Sequence, residues 1–291
     1  MGADSIFFDK LESITHIFDW LQHKWSLNQK KIFFALVWVY IFALVGVELK
    51  RQGLYPSCLP QPPDSHFYAI HLAFTLILIC ELVSFIFVLP SSLSKSMGKQ
   101  LEILTLILLR NAFKELANLP EPVVVNEGNI MAVVEIGVSA LGALAVFVCL
   151  GLYRKTVRHQ RFLQNPIMRM RYVMSKKFLA LVLLGVFTYV GAVDAFVGIQ
   201  NGGDQHFFET IYTVLIYADI AMVLIAQRYM PGYYAVFRNS GYVIGTLIMR
   251  LSLSSPHLWS PAIGLFAALF VLGLSWGTNK FNPELEEEKG Q

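Results

Sequence analysis

Four charged residues lie where charge is expensive, inside long apolar runs: Glu81 in FTLILICEL, Arg110 in TLILLR, Asp219 in YTVLIYADI and Arg250 in TLIMR. An unpaired arginine at a bilayer centre costs about 2.5 to 3.5 kcal/mol on insertion scales, so such residues face a helical bundle and seek carboxylates. The chemistry open to them is ion pairing. As fixed pairs, Glu81 with Arg110 and Asp219 with Arg250 would set helix register; as exchanging partners they would line a polar path for protons or ions. Lys114 and Glu135 could form a further pair nearer the outer surface.

A second set of ligand-capable residues gathers where the same runs begin. DSHFY, Asp64 to Tyr68, and DQHFF, Asp204 to Phe208, precede two of the runs, and Glu48 and Asp194 close two others. Carboxylates and imidazoles from Glu48, Asp64, His66, Asp194, Asp204 and His206, brought together, could hold a divalent cation. The plainer reading makes Asp64 and Asp204 helix N-caps and the His-Phe pairs interface residues. Whether any metal binds is left open. No H-E-x-x-H, G-x-S-x-G or P-loop pattern appears, so no enzyme activity and no cofactor are expected. Cys58, Cys80 and Cys149 are too scattered for a disulfide framework or a CxxC site.

The elements that must position these residues follow from composition. Of 291 residues, 55% are hydrophobic and 15% charged, against about a quarter charged in soluble domains. The chain therefore reads as an all-α integral membrane protein. Its natural partner is the lipid bilayer, and no nucleic-acid module is visible. Spans of about 20 residues are expected at Ile32 to Leu49, Phe67 to Leu89, Gln100 to Leu119, Ile130 to Leu152, Phe178 to Ile199, Phe207 to Gln227, Gly241 to Ser255 and Pro261 to Gly277. Before them, residues 1–28 show apolar positions at three- and four-residue spacing, the pattern of an amphipathic interfacial helix. The amino terminus has no cleavable signal pattern, so the first span is expected to act as the membrane signal.

The third span carries Arg110 and Lys114, and a surface helix is the alternative. Charge distribution argues for crossing. The linker 153–177 holds Arg154, Lys155, Arg158, Arg161, Arg169, Arg171, Lys176 and Lys177, and the amino terminus carries Lys24, Lys30 and Lys31. Both should be cytoplasmic, which needs an even number of crossings between them. Both termini then lie inside a plasma or bacterial inner membrane. The linker could also contact anionic lipid headgroups.

The chain also resembles itself. FALV at Phe34 aligns with LALV at Leu179, and in the same register Lys31, Phe42, Val45 and Gly46 align with Lys176, Phe187, Val190 and Gly191. Thr105 to Arg110 aligns with Thr246 to Arg250, and Gly142, Ala145 and Leu150 to Leu152 with Gly264, Ala267 and Leu272 to Leu274. An acid and an arginine recurring in the same order is not a product of hydrophobicity. The expected organisation is an N-terminal helix (1–28), a four-helix unit (29–152), the basic linker (153–177), a second four-helix unit (178–279) in the same orientation, and an acidic tail (280–291). Such a parallel repeat is related by an axis along the membrane normal. One arginine per unit, on the third helix, departs from the voltage-sensor pattern of several arginines on the fourth. The expected function is an ion- or proton-coupled transporter or channel with a path near the interface of the units. The alternative is a non-enzymatic scaffold or accessory subunit with structural charge pairs, joined by protein partners or by copies of itself.

Overall fold

The computed structural model describes residues 2–53, 66–116, 126, 128–157, 166–201, 207–256 and 258–281, with the side chains of 2–14, 68 and 197–201 left aside. Among these residues all regular structure is helical: α1 (Gly2–Arg51), α2 (Phe67–Val88), α3 (Leu93–Leu116), α4 (Ile130–Thr156), α5 (Pro166–Asn201), α6 (Phe207–Tyr229), α7 (Tyr233–Ser254) and α8 (Ser260–Phe281).

Six helices contain stretches long and apolar enough to cross a membrane: Thr15–Arg51, Ala69–Val88, Ile130–Thr156, Pro166–Phe196, Phe207–Tyr229 and Ser260–Phe281. They present large apolar side chains outward. Phe42 is 67% exposed, Leu141 68% and Tyr189 71%. A water-soluble monomer rarely shows so much contiguous apolar surface, so these faces are suited to lipid, and the chain is a polytopic membrane protein. The other two helices, α3 and α7, are the ones that carry Arg110 and Arg250. They are long enough but more polar. Each packs against neighbours in the bundle, α3 on α2, α4, α7 and α8, and α7 on α3, α6 and α8.

Residues 2–28 are continuous with the first span. α1 is one unbroken helix of 50 residues, about 75 Å at 1.5 Å per residue, more than twice the hydrocarbon thickness. Its segment from Thr15 to Trp25 packs on the bundle. Phe18 is buried against Phe87 at a ring separation of 5.6 Å. Trp25 Nε1 donates to Ser84 Oγ at 3.2 Å, Gln22 to the Phe87 carbonyl at 3.3 Å, and Lys177 to Asp19 at 2.6 Å. Of the stripe legible in the sequence, Phe18 and Leu21, with Trp25, thus pack on protein, while Ile17 and Trp20 stay exposed. The linker region is also more helical than its composition suggests, since α4 runs to Thr156 and α5 starts at Pro166; residues 158–165 lie outside the described set.

Two large apolar cores hold the bundle, beside a small one of Tyr172, Ala226, Met230 and Ala235. One joins Phe18 of α1, Leu82 and Phe85 of α2, Ile103 of α3, Leu183 of α5, and Ile211 and Leu215 of α6. The other joins Leu104 and Leu108 of α3, Val146 and Leu150 of α4, Tyr242 and Met249 of α7, and Ala268 and Val271 of α8. Both cores draw on both halves of the chain. α4 and α8 approach closely because small residues meet there: a Cβ on Gly142 would overlap Pro261, and Ala143, Ala267 and Ala268 are buried nearby.

Contacts fix one end of the bundle. Asp19 and Gln22 of α1, Phe87 of α2, Ser94 and Glu102 of α3, Tyr153, Arg154 and Thr156 of α4, Lys177 of α5 and Asn279 of α8 are tied together there. This end is basic. It carries Lys99, Arg154, Lys155, Lys176, Lys177 and Lys280.

Candidate functional site

Helix register decides which charges meet. Glu81 lies seven residues before Val88, the last residue of α2, so it is about 10 Å from the basic end. α3 begins at Leu93, seven residues earlier than the apolar run at Gln100 suggests. Arg110 is therefore about 25 Å from that end, while Lys99 is about 9 Å from it. Glu81 pairs with Lys99, and the expected pair with Arg110 does not form. Lys99 also binds Glu102 at 2.9 Å, and Glu102 pairs with Arg154 of α4. The result is a four-member network of alternating sign across α2, α3 and α4, beside a cavity of about 570 Å³ lined by Ser91, Ser94, Lys95, Lys99, Glu102 and Arg154.

The same offset separates the second expected pair. Asp219 is ten residues from Tyr229, the end of α6, and Arg250 is 17 residues from Tyr233, the start of α7, which places them about 10 Å apart in depth. Asp219, 6% exposed, accepts a hydrogen bond from Gln100 Nε2 of α3 at 3.2 Å. It feels the charge of Arg250 but forms no ion pair with it.

Both arginines instead converge on α6. The Arg110 guanidinium lies 5.0 Å from the ring centre of Phe208, and that of Arg250 lies 5.7 Å from the ring centre of Tyr212, one turn further along. Both act electrostatically on the Tyr212 hydroxyl. Arg250 is only 4% exposed. Arg110 Nε, Arg250 Nε and Nη2, the Tyr212 hydroxyl, Asp219 Oδ2 and Gln100 Oε1 are buried without hydrogen-bond partners. Aromatic contacts of this kind contribute about 0.5 to 2 kcal/mol each, while one unsatisfied buried polar group costs about 1 to 3 kcal/mol and a charged one more. The rings therefore offset only part of the cost of burying two guanidinium groups.

Beside this cluster, α1, α2, α5 and α6 line an open, mostly apolar groove of about 710 Å³. Leu76, Ile79 and Phe187 line it, with the unpartnered Thr75 hydroxyl, Asp194, and Phe208, the ring that Arg110 faces. His71, half-buried one turn before Thr75, lies within electrostatic reach of Arg110 and Lys114. Lys114 is exposed and forms no ion pair with Glu135.

Of the residues proposed for an outer cation site, Glu48 and His66 come together, with 3.2 Å between Oε2 and Nε2. Arg51 sits 3.2 Å from the other ring nitrogen of His66, and Gln52 donates to Glu48 at 2.9 Å. Asp64, Asp204 and His206 lie outside the described residues. Among the described residues there is no group of three or more His, Cys, Asp or Glu side chains arranged for a metal.

Sequence reading overlooked Lys99, Gln100 and Tyr212 as partners. Lys99 had a signal, since it stands three residues before Glu102 in a helical register; Tyr212 had none, because aromatic residues are common in apolar helices. Fold and site together define a polytopic helical membrane protein with a charged cluster enclosed among its helices. No protein-family model matches the chain, and no curated protein or solved structure matches it either.

Proposed function

We propose that the protein is an ion- or proton-coupled transporter or channel with eight crossings, in two tandem four-helix copies, whose polar path runs between α3, α6 and α7. The observation that carries this reading is the cluster of unpartnered charged groups around Tyr212. Six apolar helices suffice to shield two polar ones, and a path needs polar helices inside. Crossing by α3 and α7 is supported by the short connections that precede them, Leu89 to Ser92 and Met230 to Gly232. Such links favour antiparallel neighbours.

Duplication draws support from register and packing. Arg110 follows Leu93, the first residue of α3, by 17 positions, and Arg250 follows the first residue of α7 by the same number. α1 packs on α5, α3 on α7 and α4 on α8, so three of the four helices meet their counterpart four places on. The basic end is assigned to the cytoplasm of a plasma or bacterial inner membrane, with both termini on that side and anionic lipid headgroups as partners. No catalytic role is assigned.

The test is flux in liposomes holding the purified protein, under ion and proton gradients, for wild type and Asp219→Asn. Gradient-driven flux that Asp219→Asn alters is expected. A folded wild-type protein with no flux under any gradient would leave the second reading, a scaffold or accessory subunit. That reading is favoured by the Glu81–Lys99–Glu102–Arg154 network, which satisfies its charges internally as a purely structural element does.

A further inference from the structure

The geometry points to a binding site for a carboxylate monoanion between Arg110 and Arg250, on the hydroxyl of Tyr212. The inference rests on the transport reading for its biological setting and names the substrate class of that same cluster. Its basis is a charge count and a donor inventory. Of the groups that act on Tyr212 or Asp219, Arg110 and Arg250 supply two positive charges and Asp219 itself one negative charge, while Glu81 is held by Lys99 at another depth. One positive charge is left over. A single monoanion neutralises it, whereas a dianion would leave an excess negative charge beside Asp219.

The partnerless groups match such a ligand. Arg110 Nε, Arg250 Nε and Nη2, and the Tyr212 hydroxyl are donors without acceptors. Arg250 and Tyr212 are both more than nine-tenths buried and stand ring against guanidinium. A guanidinium edge presents parallel N–H groups that fit the two oxygens of a carboxylate, and a spherical halide uses that fork less well. The requirement is specific to the second arginine and its neighbours, because the arginine at the basic end, Arg154, already has Glu102.

The carboxylate could belong to a small free acid or to a single-chain fatty acid. The groove of about 710 Å³, apolar along Leu76, Ile79 and Phe187 and sharing with the arginine site only the ring of Phe208, offers room for a chain. Acetate and decanoate separate the two sources. Acetate tests the arginine site alone, and decanoate adds a tail for the groove.

The experiment is equilibrium binding to the full-length protein in nanodiscs, by calorimetry and by thermal-shift titration, with sodium acetate, sodium decanoate and sodium chloride at constant ionic strength. Saturable binding of at least one carboxylate is expected, weakened tenfold or more in Arg250→Gln and in Arg110→Gln. Lys177→Gln, at the basic end, should leave it unchanged. Tyr212→Phe keeps the ring and should weaken binding severalfold, and Asp219→Asn should tighten it by removing the competing negative charge. Decanoate bound more tightly than acetate, with the gain lost in Ile79→Gln, assigns a fatty acid; equal affinities assign a small acid. Failure of both carboxylates to bind folded protein, binding of chloride alone, or unchanged affinity in folded Arg250→Gln and Asp219→Asn would overturn the inference. Binding without flux supports it and defeats the transport reading. Flux of cations without carboxylate binding does the reverse.

Discussion

The charges at the basic end and those around Tyr212 are alike in kind and opposite in state. At the basic end Glu81, Lys99, Glu102 and Arg154 alternate in sign along a continuous chain of contacts. Around Tyr212, Arg110 and Arg250 both act on the tyrosine and Arg250 on Asp219, yet all four keep buried atoms without partners. Depth explains the difference. Acids and bases that stand equally far from a helix end can pair across helices; the arginines stand 17 residues along their helices, further from the basic end than Glu81 and Asp219. A protein that needed charge only for register would have no reason to retain the second arrangement, since replacing unpaired buried charges by apolar residues generally stabilises.

That contrast can be broken most sharply at Lys99. Lys99→Met leaves Glu81 buried without a counterion, with a side chain only 14% exposed, and should destabilise the protein by about 3 to 5 kcal/mol, the range for removing one partner of a buried pair. Unfolding in mixed micelles by denaturant titration measures it. Adding Glu81→Gln to the same variant should recover a large part of the loss, and failure to recover would show that the pair is not the source of the effect.

Arg250→Met should cost less. Because Arg250 forms no ion pair and only lends Asp219 its charge from a distance, the loss should stay below the range of about 3 to 5 kcal/mol for breaking a buried pair in the same unfolding measurement while flux falls. A loss of stability as large as that of Lys99→Met would erase the distinction between the two regions. Tyr212→Phe removes a hydroxyl without a partner and retains the aromatic face against Arg250. Its effect on unfolding should stay within about 1 kcal/mol. The smallest effect is expected for Lys177→Ala at the surface pair with Asp19, whose acid is 53% exposed. There about 0 to 1 kcal/mol is the usual range, and it should shrink further as salt is raised, which a titration at two ionic strengths would show.

Much of the helical layout was legible because bilayer-spanning helices must be long and apolar, and composition alone exposes them. Phe67 to Leu89 and Phe207 to Gln227 in the sequence correspond within a few residues to α2 and α6. The start of α3 was not legible. Leu93 to Lys99 is polar, and a hydropathy reading starts the helix at Gln100, though nothing in LSKSMGK prevents helix formation once Tyr153 accommodates Ser94 and Gly98. That error of seven residues moved Arg110 by about 10 Å and produced a pairing with Glu81 that the bundle does not make. The continuity of α1 was hidden for a related reason. Periodicity separates an amphipathic stretch from an apolar one, but it has no signal for whether the backbone bends between them.

The sequence by itself determined that this chain crosses a membrane, that its basic residues gather at particular helix ends, and that Arg110 and Arg250 occupy matching runs. These follow from residue type and order, which solvation acts on locally. Only the tertiary structure decided which charges meet. Ion pairing depends on depth and facing within a few ångströms, and those are set by where helices begin and by how α3, α6 and α7 pack around Tyr212.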